Sequence, residues 1–145
     1  MVQVNIKLLS NDKLLIPERK NLGDSGFDLK AAHDEIVESK TVKLIKTGIC
    51  VEIPLGYEGQ VRTRSGMALK TNAFVLNSPG TIDSGYRGEV GVILANLSNE
   101  KLVIQKYDRV AQLVINQIPE VVLMPVDNLS DTERGAGGFG STGIK

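Results

Sequence analysis

The sequence predicts an all-β protein, a compact and distorted jelly-roll-like β-barrel with one short helix and a glycine-rich C-terminal tail. Three observations support this. Apolar residues alternate with polar ones at period two in Val2, Val4, Ile6 and Leu8, and again in Val42, Leu44 and in Val51, Ile53, which gives each segment one core-facing side. The apolar segments are short and separated by Gly, Pro, Asn and Asp, the turn residues of antiparallel sheets that curl into barrels. Helical spacing is confined to one stretch, 67–70. A chain of 145 residues fits one domain with a moderate core.

In chain order, strands are expected at 2–8, around 42–44 and 51–53, then at 59–62, 73–76, 90–95, 102–104, 110–116 and 121–126. The helix over 67–70 is about one turn long, with Ser65 placed to cap its start and Asn72 able to take a left-handed exit. Beyond Val126 the composition turns polar, Asp127-Asn-Leu-Ser-Asp-Thr-Glu133. The body is therefore expected over 1–127 and a mobile tail over 128–145. No internal repeat is evident.

Composition narrows the function. Lys plus Arg number 17, Asp plus Glu number 17, and aromatics make up 4%, a balance that argues against a general nucleic-acid or membrane surface. Any phosphate binding must be local. The lone Cys50 sits in the alternation Ile49, Val51, Ile53 and reads as a strand residue; with no disulfide possible inside one chain, a reducing, cytoplasmic setting is expected. The start, MVQVNIKLL, has no apolar stretch long enough for a signal peptide or membrane span. His33, beside Asp34 and Glu35, reads as a loop residue, and one His with one Cys makes a zinc site untenable.

Five segments carry chemistry. At the C-terminus, Arg134-Gly-Ala-Gly-Gly-Phe139-Gly-Ser141-Thr142-Gly143 hangs one cation, one ring and two hydroxyls on glycines. Ordering such a backbone costs about 1–2 kcal/mol per residue with almost no apolar burial to offset it. A ligand could supply the difference, with Phe139 stacking on a base, Arg134 pairing with phosphate, and Ser141, Thr142 and glycine N–H groups meeting anionic oxygens. A disordered glycine-rich terminus is the plain alternative. A Walker A loop is excluded, because no Lys-Ser/Thr pair follows the glycines.

In Gly80-Thr-Ile-Asp83-Ser-Gly-Tyr86-Arg87-Gly88-Glu89, Asp83 could face a pocket and orient a water, or be an Asx-turn aspartate. Tyr86 could offer its ring to a sugar, or be an ordinary strand tyrosine. Arg64-Ser65-Gly66-Met67-Ala68 reads as a phosphate site at a helix start or as a plain N-cap with a surface arginine. In Ser25-Gly-Phe-Asp28-Leu-Lys-Ala31, Asp28 could serve a metal's water shell or be a solvated strand carboxylate. In Arg109-Val-Ala-Gln112-Leu113, alternation puts Arg109, Ala111 and Leu113 on one face and Val110 and Gln112 on the other.

These five segments, in this order, resemble the five motifs of the homotrimeric dUTPase family. SGFDLKA is similar to the first, RSGMA to the second, NSPGTIDSGYRGE to the third, RVAQL to the fourth and RGAGGFGSTG to the fifth. The resemblance spans 25–143, with departures at Ser25 and Phe27 and at Asn72, where a glycine often follows the helix. It implies hydrolysis of dUTP to dUMP and pyrophosphate by attack at the α-phosphate, which keeps uracil out of DNA and supplies dUMP for thymidylate synthesis. Asp83 would then activate water, Mg²⁺ would lie across the triphosphate, and Asp28 would reach it through water. Arg64, Ser65, Gly66 and Gln112 would grip phosphate oxygens, with Ser65 favouring charge on the leaving bridge oxygen.

Uracil would be read by Asn77 and the backbone of Gly80, Thr81 and Ile82, and Tyr86 would pack under the deoxyribose. The tail would close over it through Phe139, Gly140, Arg134, Ser141 and Thr142, in trimers with shared active sites. Two alternatives stay open, a dCTP deaminase-like enzyme and a non-catalytic nucleotide-binding module. The first needs a catalytic Glu where this chain has Ile93.

Overall fold

The computed structural model describes residues 1–138 and residue 141. Two four-stranded antiparallel sheets face each other across one core, and a two-stranded ribbon closes one flank. The first sheet has β1 (Asn5–Leu8), β4 (Val42–Glu52), β8 (Glu89–Asn96) and β6 (Ala73–Val75) in that order. The second has β2 (Gly26–Lys30), β10 (Arg109–Gln117), β5 (Tyr57–Arg62) and β7 (Gly80–Ile82), and the ribbon pairs β3 (Glu35–Val37) with β9 (Leu102–Ile104). The sheets stay open, a jelly-roll-like sandwich with free edges.

The core follows from the alternation. Leu29, Ile45, Ile49, Leu94, Ile104 and Val110 are fully buried between the sheets, and each such side chain contributes about 1.5–3 kcal/mol relative to exposure. The expected strands at 42–44 and 51–53 are one strand, β4, because its inner half is buried on both faces and loses the alternation that would mark it. Its pairing with β8 shifts register between Lys46 and Cys50. Gly48 sits in that shift with φ +71°, and a Cβ there would stand 2.8 Å from Leu15 Cδ1, so both conformation and space call for glycine.

Helix α1 (Ser65–Thr71) is longer than expected and starts earlier. Arg64, in extended backbone, is its N-cap residue and makes no side-chain cap bond. Ser65 is therefore a first-turn residue rather than the cap, since the Arg64 carbonyl already accepts from Met67 N and Ala68 N at 3.1 Å each. Asn72 takes the expected left-handed exit, φ 53°, with its N–H on the Ala68 carbonyl.

The expected strand over 121–126 does not form. Ordered strand ends at Gln117, and Val121, Val122, Leu123, Met124 and Val126 are exposed. Alternation marks a segment fit for a sheet edge, but a strand needs a partner, and among the described residues none pairs with it.

Candidate functional site

Strand register brings three of the five segments together. Asp28 on β2 is the cross-strand partner of Gln112 on β10, which in turn is opposite Arg62 on β5. Just past β5 the chain turns into α1 and carries Arg64 back over this row. Its Nε donates to Asp28 Oδ1 at 2.7 Å and its Nη1 to the Arg109 carbonyl at 3.1 Å. Arg109 Nη1 donates to the other carboxylate oxygen, Oδ2, at 3.1 Å. Asp28 is thus a partly buried carboxylate, 19% exposed, clasped by two guanidiniums, the geometry of charge-assisted pairs that hold cations in a fixed direction.

Around them lies a cleft of about 360 Å³ lined by Lys20, Asp24, Ser25, Gly26, Asp28, Arg64, Ser65, Gly66, Arg109 and Gln112. Three cations face two carboxylates there, so the cleft favours an anion with several charges. Ser65 and Gly66 are exposed and their N–H groups precede the first helical hydrogen bond, which leaves two donors at its rim. Gln112 Nε2 donates to the Thr63 carbonyl at 3.0 Å.

Thr63 also donates its N–H to Ser78 Oγ at 3.3 Å and accepts from Val75 N at 2.9 Å. It thereby ties the start of the Asn77 loop to the cleft. Thr63, Arg109 and Lys20 are contributors that sequence reasoning missed. Alternation puts Arg109 on the same face as Ala111 and Leu113, but a register shift between Arg109 and Ala111 breaks it. Val110 and Ala111 are both buried while Arg109 turns outward.

The third segment forms a second, smaller cleft of about 180 Å³ between Thr81, Ile82, Asp83, Tyr86, Glu89, Val90 and Gly91. Asp83 is exposed just past β7, its carbonyl accepting from Tyr86 N at 3.0 Å. Among the described residues its carboxylate makes no hydrogen bond, so it is not an Asx-turn aspartate. Arg87 braces the turn by donating to the carbonyls of Ser84 and Tyr86 and to Glu52 Oε1. The Tyr86 hydroxyl donates to the Glu89 carbonyl at 3.0 Å. Asn77 is exposed in the turn between β6 and β7, and Gly80 and Ile82 are buried in β7 with Thr81 turned out.

The two clefts do not meet within one chain. β2 and β7 are opposite edges of their sheet, about 14 Å apart at ~4.8 Å per strand step. Gly80 pairs with Val61 and Ile82 with Gly59, so β7 carries Asp83 towards the end of β5 remote from Arg64. In the tail, Arg134 is exposed with its Nε on the Gly137 carbonyl at 2.8 Å, and Ser141 N donates to the Gly138 carbonyl. Phe139, Gly140 and Thr142 lie outside the described residues. Among the described residues no group of three or more His, Cys, Asp or Glu could hold a metal ion. Asp28 has each oxygen engaged once but keeps acceptor capacity for water, which fits a Mg²⁺ held mainly by phosphate and not one held by the protein alone.

The chain is similar to known proteins along most of its length. The family model described as dUTPase matches residues 12–143. The deoxyuridine 5'-triphosphate nucleotidohydrolase of Alkaliphilus metalliredigens is 48% identical over all of both chains. That of Nautilia profundicola is 51% identical, covering 98% of this chain and 99% of the relative. Among solved structures, the dUTPase of Staphylococcus bacteriophage 80alpha with dUPNHPP superposes with a TM-score of 0.88 at 32% identity, over 98% of this chain and 99% of that one. A mutant dUTPase of S. aureus phage phi11, described as showing coordination of a structural Mg(II) ion, has a TM-score of 0.78 at 28% identity, over 87% of this chain and 97% of that one.

Proposed function

This chain belongs to the dUTPase family and hydrolyses dUTP to dUMP and pyrophosphate, and we propose that its two clefts are the halves of the site that does so. The observation that supports this most is the convergence of Asp28, Arg64 and Arg109, far apart in sequence, on one cationic cleft. The triphosphate lies there, its charge met by Arg64, Arg109 and Lys20, with Gln112 and the Ser65 and Gly66 donors on its oxygens. Asp28 would reach a phosphate-bound Mg²⁺ through water, and that ion would supply charge neutralisation on the leaving pyrophosphate.

The uncommitted carboxylate of Asp83 takes a proton from water as the water oxygen bonds to the α-phosphorus. The bond from that phosphorus to the bridging oxygen breaks, and Ser65 stabilises the charge on pyrophosphate. Asn77 and the backbone of Gly80, Thr81 and Ile82 read uracil, and Tyr86 packs under the deoxyribose. The tail residues Arg134, Phe139, Gly140, Ser141 and Thr142 close over the nucleotide.

Because Asp83 and Arg64 lie in separate clefts of one chain, the site is completed between copies, in a homotrimer with shared active sites. The exposed apolar residues Val121, Val122, Leu123 and Met124 support assembly, since a neighbour would cover them. The body is 1–127 and the closing tail 128–145. We assign the enzyme to the cytoplasm, where it keeps uracil from DNA and supplies dUMP for thymidylate synthesis; among the described residues no helix is long and apolar enough to cross a membrane. A dCTP deaminase reading fails at Ile93, which lies on β8 opposite Leu44 of β4 and carries no acid.

Pyrophosphate release from dUTP, dCTP, dTTP and UTP tests the reading. The expected result is release from dUTP at a rate far above the other three. Deamination of dCTP, or binding of dUTP without turnover, would replace it with one of the alternatives.

A further inference from the structure

At Gly26, Gly80 and Gly88 it is space, not backbone conformation, that opposes a Cβ, and the neighbour in the way is a polar side chain that would have to move. Gly26, Gly80 and Gly88 all lie outside the positive-φ region, so any residue could adopt their backbone. A Cβ on Gly88 would nevertheless stand 2.6 Å from Tyr86 Cζ and 2.9 Å from Cε2, with the hydroxyl nearer still. On Gly26 it would stand 3.1 Å from Gln112 Cδ and 3.2 Å from Gln112 Cβ, with Oε1 nearer, and on Gly80 it would stand 2.9 Å from Asn77 Nδ2. Gly59 and Gly91, by contrast, abut the aliphatic side chains of Ile53 and Leu44, while Gly66 and Gly85 have nothing within 4 Å.

In each of the three cases the space is taken by a side chain to which the site reading above gives a substrate contact. Resting on that reading, we propose that Gly26, Gly80 and Gly88 are positioning residues, seats on which Gln112, Asn77 and Tyr86 lie, and that Gly88 thereby sets the selection between deoxyribose and ribose.

The physical reason is where a clash would be relieved. Tyr86 is 45% exposed, and among the described residues its hydroxyl is anchored only by the Glu89 carbonyl. A methyl group on Gly88 would be accommodated most easily by rotating the ring off its seat into solvent, which breaks that bond but leaves the sheets intact. The ring would then no longer occupy the space against the sugar where a 2′-hydroxyl must be refused. Gly26 works in the same way across the ladder, where Gln112 is opposite Asp28 and leans diagonally onto Gly26. Displacing Gln112 removes its bond to the Thr63 carbonyl and its amide from the phosphates.

The test is a pair of double-mutant cycles read as kcat/KM for dUTP and UTP. Gly88→Ala is expected to lower the dUTP-to-UTP preference about tenfold, the scale on which a reshaped pocket discriminates. In a Tyr86→Ala background the same substitution should change the preference no further. Gly26→Ala should raise KM for dUTP about tenfold with kcat nearly unchanged, and should do nothing in a Gln112→Ala background.

An unchanged preference, or an equal fall with and without the Tyr86 ring, overturns the proposal. If Gly88→Ala does not fold, circular dichroism of the Gly88→Ala, Tyr86→Ala double variant decides. Recovered folding shows that ring and methyl compete for one place, and continued unfolding overturns the seat. A wild-type chain releasing no pyrophosphate from dUTP overturns the underlying site reading instead.

Discussion

In the cleft of β2, α1 and β10 the central carboxylate is held on both oxygens by guanidiniums, while in the cleft of the turn between β7 and β8 the carboxylate has no hydrogen-bond partner among the described residues. Asp28 is 19% exposed and bonded to Arg64 and Arg109 at 2.7 and 3.1 Å; Asp83 is exposed beside a turn braced by Arg87. Hydrogen bonds to charged groups contribute about 1.5–3 kcal/mol each, so the first cleft fixes the direction of its cations before any ligand arrives. The second keeps a carboxylate free to accept a proton. In the proposed reading one acid organises charge and the other does chemistry, and substitutions should divide along that line.

The largest effect is expected at Asp83. Asp83→Asn should lower turnover by on the order of a hundredfold or more, the cost of losing a general base. Calorimetry with a non-hydrolysable dUTP analogue should show near-normal affinity. Lost affinity would give Asp83 a binding role and erase the contrast.

A smaller effect, of opposite character, is expected in the first cleft. Arg64→Ala should raise KM for dUTP by about tenfold or more and lower stability by about 1–3 kcal/mol, because Asp28 keeps only one partner. Arg64→Lys should not restore either, since Nε and Nη1 reach two different acceptors, Asp28 and the Arg109 carbonyl. Thermal melts and steady-state kinetics check both. A fall in kcat at unchanged KM would contradict a purely organising cleft.

The smallest effect is expected at residues that line neither cleft. Hydrogen bonds from Lys106 and then Tyr107 hold the Asp12 carboxyl below its ordinary range, and Asp12 in turn raises Lys106. A lowered acid stabilises the fold above its unfolded pKa, and that contribution is lost as pH falls through the folded value. Lys106→Met should therefore move the acid unfolding transition to slightly higher pH while leaving kcat/KM for dUTP unchanged. An unchanged acid transition would show that the clamp contributes nothing.

Much of this was legible in the sequence where the signal is local. Leu102–Ile104 appears as read, and Asn72 exits α1 left-handed because few side chains tolerate that region. What was not legible depends on partners. β4 reads as two pieces because its second half is buried on both faces. The bulge at Arg109 that turns its guanidinium towards Asp28 leaves no mark on spacing. Residues 121–126 carry a strand pattern that finds no partner strand among the described residues. The ordered motifs picked out four segments that line the two clefts, but not that Asp83 and Arg64 fall in separate ones, because that follows from strand order in the second sheet.

The most direct test of a site built from two clefts on different copies is to mix two crippled chains. Asp83→Asn and Arg64→Ala chains are co-refolded at equal amounts, mixed oligomers are confirmed by mass spectrometry, and turnover is assayed at low dUTP. If Asp83 of one copy serves the cationic cleft of another, about a quarter of the sites pair an intact Asp83 with an intact Arg64, from simple combination around a symmetric ring. Activity should then rise well above both parents, towards a quarter of wild type. Mixed oligomers no more active than their parents would mean that each chain completes its own site.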